Sequence, residues 1–437
     1  MMKVAVATLG CKVNQFDSAL LAERLRLEGF TVVPFGGEAD VCIINTCTVT
    51  ARTDYQSRQL VRRARKLCPG AGVVVTGCYA QVAPAELAEM PGVAAVLGNA
   101  EKDVLPGFLG EILDGRGKIM VGDIRRCGVL PSRAVDVFPG RTRAILKVQD
   151  GCDAFCTYCI VPFSRGRSRS LPPSDVLRQA VRFAESGYRE VVLTGIHLGG
   201  YGSDLEPPVS LAGLLAGFED VEGVDRVRLS SVEPMEVTPE LISRIASSEK
   251  LCRHLHIPLQ SGDDRILKLM GRNYTGDRFR LLVERLTTTV PDIAVGVDVM
   301  AGFPGEGEEE FRRTAALIEE LPIAYLHIFP YSRRPGTPAA DLPHQVPEDA
   351  KKGRAALLRS LGAEKRASFA RRFVGKNVSV LVEGKADRQT GLMKGFTDNY
   401  IPVLIENGDL SLVNQIVTVR PTGAREGKLS ARMENHG

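Results

Sequence analysis

Three cysteines, Cys152, Cys156 and Cys159, stand in the stretch "DGCDAFCTYCIVPFSRG" with three and then two residues between them. Three thiolates are one short of the four ligands that close a structural zinc site, and no further cysteine or histidine follows close behind Cys159. A disulfide would leave one of the three unpaired. A cluster of iron and sulfur held by three thiolates instead leaves one iron open to a ligand, so the spacing favours a cluster over zinc. Three more cysteines lie far apart, in "TLGCKVNQ" (Cys11), "NTCTVT" (Cys47) and "TGCYAQ" (Cys78), each just past a short β-branched run. If those runs are parallel strands, their carboxyl ends share one sheet edge and the three cysteines converge there.

The elements that would position these residues fall into an α/β multidomain pattern. Residues 1–125 alternate strand and helix signals: "KVAVAT", a helix around Ser18 to Glu28, "VCIINT", a helix over Ala51 to Leu67, "VVVTG" and a helix from Pro84. This predicts a doubly wound parallel α/β domain. Residues 126–142 are turn-rich and read as a linker. Residues 143–372 hold six strand candidates, "AILKVQ", "EVVLTG", "RVRLSS", "HLHIPL", "AVGVDVM" and "YLHIF", with helices between them and a basic helix from about 350. Six such units are two short of a closed barrel, which predicts a partial (β/α)6 barrel with its site at the carboxyl ends of the strands. Residues 373–437 turn to short strands with glycine turns and predict a small β-barrel of the oligonucleotide-binding kind, with a frayed end over about the last ten residues.

Further candidates stand at those strand ends. Gly195 in "LTGIH" would let a backbone edge approach a ligand, or simply make a turn. Glu233 in "SSVEP" suits ribose hydroxyls, and Gln260 follows the fourth strand. Asp298 lies in "DVMAGFPGE", read as a glycine-rich turn. His197, His254, His256 and His327 show no metal-ligand spacing; three of them alternate within strands and read as packed barrel residues. Cys42, Cys68, Cys127 and Cys252 read as ordinary thiols.

Composition bounds the rest. Ten cysteines in 437 residues are too dilute for a disulfide scaffold and suit a reducing cytoplasm. The apolar run in "MMKVAVATLGC" is too short for a leader and reads as a first strand, and no run approaches a membrane span. The net charge of +4 is mild, so nucleic-acid binding would depend on local clusters.

The C-x3-C-x2-C pattern, with Tyr158 before its last cysteine, resembles the signature of the radical S-adenosylmethionine (SAM) enzymes. The resemblance implies that the open iron of a 4Fe-4S cluster chelates SAM, and that an electron from the cluster cleaves it to a 5′-deoxyadenosyl radical. It implies SAM contacts at Tyr158, Gly195, Glu233, Gln260 and Asp298. The phrases around Cys11, Cys47 and Cys78 are similar to the N-terminal domain of the methylthiotransferases, a resemblance that covers essentially the whole chain and names the C-terminal barrel a TRAM domain. It implies two 4Fe-4S clusters as cofactors with SAM, one on each cysteine triad, and an electron donor such as flavodoxin or ferredoxin as a partner.

The wording "TLGCKVNQ" and "NTCTVT" resembles the branch acting on N6-threonylcarbamoyladenosine-37 of tRNA. The alternatives are the isopentenyladenosine-37 branch, the ribosomal-protein aspartate enzymes and, outside the family, a two-cluster electron carrier. An RNA partner agrees with three basic clusters: Arg52, Arg58, Arg62, Arg63, Arg65 and Lys66 on one helix; Arg165, Arg167 and Arg169; and the 350–376 region. The C-terminal barrel, lacking cysteine, would supply tRNA affinity without chemistry, through backbone and shape recognition, since Phe396 and Tyr400 are its main aromatics.

Overall fold

The computed structural model describes residues 1–113, 119–138 and 140–433. Its first body runs Lys3–Thr8 (β1), Lys12–Leu27 (α1), Thr31–Val33 (β2), Val41–Thr46 (β3), Ala51–Leu67 (α2), Gly72–Gly77 (β4), Cys78–Val82 (α3), Val93–Leu97 (β5) and Ile119–Met120 (β6). The strands form one parallel sheet in the order β2-β1-β3-β4-β5-β6. Every residue of β3 is buried, as expected of a central strand with helices on both faces. Helix α1 begins at Lys12 rather than near Ser18. Its early turns carry no apolar period because Asn14 is buried for polar bonds to the Leu9 and Thr46 carbonyls, and Asp17 for a bond from Lys102.

From Cys127 to Thr142 the described residues form neither helix nor strand, yet the segment is not loose. Val135 exchanges two hydrogen bonds with the Gln179 side chain, and Leu130, Val135 and Phe138 are buried in the core of the next body.

That body has six parallel strands, Arg143–Lys147 (β7), Glu190–Thr194 (β8), Arg226–Leu229 (β9), His254–His256 (β10), Ala294–Ala301 (β11) and Tyr325–Pro330 (β12). They pair as β9-β8-β7 and β10-β11-β12, and bridges at Val227–Leu251 and Ser231–His256 join the two sets between β9 and β10. The result is a curved wall, open between its edge strands β7 and β12. The first body spans that opening. Helix α1 packs on β7, while the Ala51 amide donates to Ser332 Oγ (3.0 Å) and Arg334 bonds Asp54 (2.6 Å) beyond β12.

Helix Glu348–Arg371 (α4) leads to a closed barrel of Val378–Val382 (β13), Met393–Thr397 (β14), Pro402–Ile405 (β15), Ile416–Arg425 (β16) and Lys428–Arg432 (β17), in the order β13-β14-β15-β17-β16. The end expected to fray therefore contributes a strand, paired with both β15 and β16; residues 434–437 lie outside the described residues. Nor is this barrel a detached appendage. It docks on the amino ends of the six-stranded wall, where Arg226 donates to the carbonyls of Phe396 and Ser379 (3.1 and 2.8 Å) and Arg228 to those of Asp398 and Thr397 (2.7 and 3.1 Å). Among the described residues no helix is long and apolar enough to cross a membrane.

Candidate functional site

Cys11 is the N-cap of α1, Cys47 follows β3 and Cys78 opens α3, so the sheet edge presents all three. Two glycines make that approach possible. A Cβ on Gly10 (φ +102°) would stand 2.7 Å from Cys47 Cβ, and one on Gly77 (φ +98°) 2.5 Å from Asn45 Oδ1. Burial pushes the Cys11 thiol up and the Cys47 thiol up to about 11, with Cys78 adding to both shifts, so the sulfurs feel one another. Cys11 and its neighbour Lys12 are nevertheless accessible to water, although burial is also the leading cause that lowers the Lys12 pKa. Groups both wet and surrounded by protein line a concave space.

The second triad lies on the loop after β7. Burial pushes the Cys159 thiol up to about 12, and Cys156 and Cys152 add to the rise. His197 Nδ1 lies 3.6 Å from Cys152 Sγ, and its Nε2 2.6 Å from Glu236. Arg272 Nη1 donates to Cys156 Sγ (3.3 Å), and the same guanidinium grips Glu233. Arg165 ties the first triad to the strand end just before the second: its Nε donates to Cys78 Sγ (3.2 Å) while Nη1 bonds Asp17 and Asp150 (2.9 and 3.1 Å). Arg165 is buried, and Arg169, buried too, donates to its carbonyl. Neither can serve a phosphate, which corrects that part of the charge reading; Arg167 is exposed.

The other expected residues are brought to the carboxyl end of the wall with partners of their own. Tyr158 is half-buried and meets Phe303 edge-on, with ring centroids 6.4 Å apart. At Gly195 a Cβ would stand 2.7 Å from Gln149 Oε1, the atom that accepts from the His197 amide (2.8 Å), so the glycine makes room for a side chain of the same chain. Gln260 bridges β11 at Val299 with φ +60°. Asp298 lies within β11, not in the glycine turn that follows it. It receives His256 Nε2 at 2.8 Å and His327 Nδ1 at 3.5 Å. Burial pushes its carboxyl up, but the two imidazoles outweigh that and hold it at about 2.

This corrects the reading of the histidines as lacking a metal set, since His256, Asp298 and His327 offer three ligand atoms within 4.8 Å of one another. His197, which showed no metal-ligand spacing in the sequence, lies beside Cys152. Arg272, Glu236 and Gln149 were invisible in the sequence, where no spacing relates them to a cysteine. Among the described residues neither cysteine triad has all its sulfurs within 4.8 Å.

A six-stranded partial barrel carrying C-x3-C-x2-C at its first strand end defines a radical SAM enzyme, and comparison with known proteins agrees. Residues 146–318 match the radical SAM superfamily, and residues 3–98 match uncharacterized protein family UPF0004. The radical SAM methyltransferase TsrM from Kitasatospora setae shares the fold, with TM-score 0.58 at 18% identity over 78% of this chain and 77% of that one. The threonylcarbamoyladenosine tRNA methylthiotransferase MtaB of Bacillus subtilis is 41% identical over 96% of this chain and 94% of its own length, and that of Aquifex aeolicus 44% identical over 87% and 93%. The tRNA-2-methylthio-N(6)-dimethylallyladenosine synthase of Pelotomaculum thermopropionicum is 34% identical over 98% and 97%. The chain belongs to the radical SAM methylthiotransferase family, in its MtaB branch, whose cofactors are SAM and 4Fe-4S clusters.

Proposed function

We propose that this enzyme converts N6-threonylcarbamoyladenosine-37 of tRNA to its 2-methylthio derivative, with the radical-generating cluster on Cys152, Cys156 and Cys159 and a second, sulfur-handling cluster on Cys11, Cys47 and Cys78. The observation that carries it is Arg165, which bonds the Cys78 sulfur of one triad and Asp150, two residues before Cys152 of the other. The residues suit such clusters: Arg165 and Arg272 aim cationic N–H groups at Cys78 and Cys156, where they stabilise anionic sulfur. When bound, these cofactors supply the radical and the methylated sulfur that an aromatic C–H bond requires.

The chain's own residues hold and orient. Glu233 fixes the guanidinium that touches Cys156, Glu236 fixes the imidazole beside Cys152, and Gln149 fixes the backbone of the loop after β8. Gln260 and Asp298 are the polar groups at the remaining strand ends suited to the nucleoside of SAM. The exposed residues Arg52, Arg62, Arg63, Arg65 and Lys66 of α2 form a phosphate-binding face directly after Cys47. The same reading calls for a small acidic electron donor such as flavodoxin or ferredoxin.

The deciding experiment is mass spectrometry of tRNA nucleosides from a host lacking its own enzyme, with this chain or its Cys47→Ala variant. The expected result is methylthio-threonylcarbamoyladenosine with the first and none with the second. Methylthio groups on isopentenyladenosine would transfer the assignment to the sister branch.

A further inference from the structure

The cations around the start of α1 and the interior of the barrel are matched by carboxylates, with one exception. Arg143 bonds Glu383 (2.7 Å), Lys147 bonds Asp17 (2.6 Å), Arg228 bonds Glu190 (2.7 Å), Arg334 bonds Asp54 (2.6 Å), and Arg272 grips Glu233. Lys12 is the exception. Among the described residues no carboxylate lies within ion-pair distance of its ammonium, and no hydrogen bond from it is formed. It is accessible to water, next in sequence to Cys11, and near enough to Tyr400, Arg143 and Arg228 for their charges to act on it. Tyr400 is held there by the Arg228 guanidinium at 4.8 Å and the His254 ring at 4.9 Å, so the far wall is rigid and itself cationic.

A second feature of the same spot points to an anion. Helix α1 opens at Lys12 with no acidic residue in its first turn, so its positive dipole end, which also acts on the Cys11 sulfur through the Asn14 amide, adds to the ammonium.

We propose that Lys12 is the specificity residue that receives the free carboxylate of the threonylcarbamoyl group on the target adenosine. The inference rests on the function proposed above and names the recognition element of that site. A threonine joined to N6 through its amino group retains a free carboxylate, whereas an isopentenyl group or bare adenine carries none. Bringing that carboxylate out of water is costly without a partner, and an ammonium beside Cys11 supplies one where the adenine must lie to meet a sulfur on that triad. The rival role for Lys12 is to balance the charge of a cluster on Cys11, independent of the RNA.

The test uses the enzyme with both clusters reconstituted and two anticodon stem-loop RNAs, one with threonylcarbamoyladenosine at the target position and one with its methyl ester. The readout is the ratio of kcat/KM for acid over ester, which partial loss of iron or of folded protein does not move. The native chain should prefer the acid by about tenfold to a hundredfold, the range of a hydrogen bond between charged groups. Lys12→Gln should collapse the ratio toward one, and Lys12→Arg should restore part of it. A Lys12→Gln enzyme that keeps the full preference overturns the proposal. So does a parallel fall on both RNAs in step with iron content, which assigns Lys12 to the cluster. If the native chain instead ignores both RNAs and methylthiolates one carrying isopentenyladenosine, the underlying function is wrong, a failure visible before any variant is made.

Discussion

Arg165 shows what a sequence conceals at the scale of one residue. In "FSRGRSR" it reads as one more arginine for a phosphate, yet its side chain is only 2% exposed and joins Asp17 of the first body, Asp150 of the barrel and the Cys78 sulfur. Burial alone would raise the Asp17 pKa; Lys102, Lys147 and Arg165 overcome that and hold it well below the usual carboxylate range. Removing one member of such a set strands a buried charge, so Arg165→Met should cost about 3–5 kcal/mol, seen as a lower thermal midpoint. The sign of the pH dependence follows from the depressed Asp17 value. Its stabilisation is complete above the unfolded carboxylate pKa, about 3.9, and is lost as pH falls through the folded value. Asp17→Asn should therefore lower stability at neutral pH and flatten its decline below pH ~4; an acid limb as steep as that of the native chain would refute the network's role.

Elements with a clear period were legible, and those ruled by tertiary contacts were not. Helix α2 spans Ala51–Leu67 as the sequence indicates, because Thr50 and Thr53 form a capping box and Val61 and Ala64 are buried on one face. Five of the six barrel strands lie within two residues of their expected ends, since buried parallel strands write continuous apolar runs, while the fourth, His254–His256, stops three residues short of the expected "HLHIPL". Strand β17 was missed because "KLSAR" alternates charge with apolar residues in what reads as a tail, and only closure of the barrel gives it partners. The cysteine triads were legible because their type and strand-end position are chemical; Arg272 and His197 were not, because a second partner of a sulfur follows no spacing. The exposed face of α2 carries a prediction of its own. Arg62→Ala with Arg63→Ala should leave thermal stability nearly unchanged and reduce the slope of log affinity against log salt by roughly 0.7–0.9 for each phosphate no longer neutralised. A salt series with an unaltered slope would place the tRNA elsewhere.

The whole molecule closes an incomplete barrel from two sides. The C-terminal barrel seals the amino ends of the strands, and its Tyr400, stacked on Phe396 with centroids 5.0 Å apart, reaches into the interior beside Arg143 and Arg228. A chain ended at Gly375 would leave Arg226 and Arg228 without the carbonyls they serve. Such a chain should lose thermal stability and SAM cleavage as well as tRNA affinity, contrary to the expectation from sequence of a separable affinity module; a truncated protein that cleaves SAM at the native rate would restore that expectation.

The first body closes the other side, and the clasp there is Arg334, whose guanidinium bonds Asp54 (2.6 Å) and Thr48 (2.7 Å), the latter adjacent to Cys47. The triads sit on different bodies, so in the function proposed above cleavage of SAM does not depend on the first body, while delivery of sulfur to carbon needs the two bodies held at one separation. A displacement of an ångström between reacting groups can cost about a hundredfold in rate. Arg334→Met should accordingly keep both clusters and continue to form 5′-deoxyadenosine, while the ratio of 5′-deoxyadenosine to methylthio product rises at least several-fold. Measuring both products in the same reaction separates loss of alignment from loss of cofactor. Equal decline of the two, with iron content preserved, would show that the clasp does not set the distance between the triads.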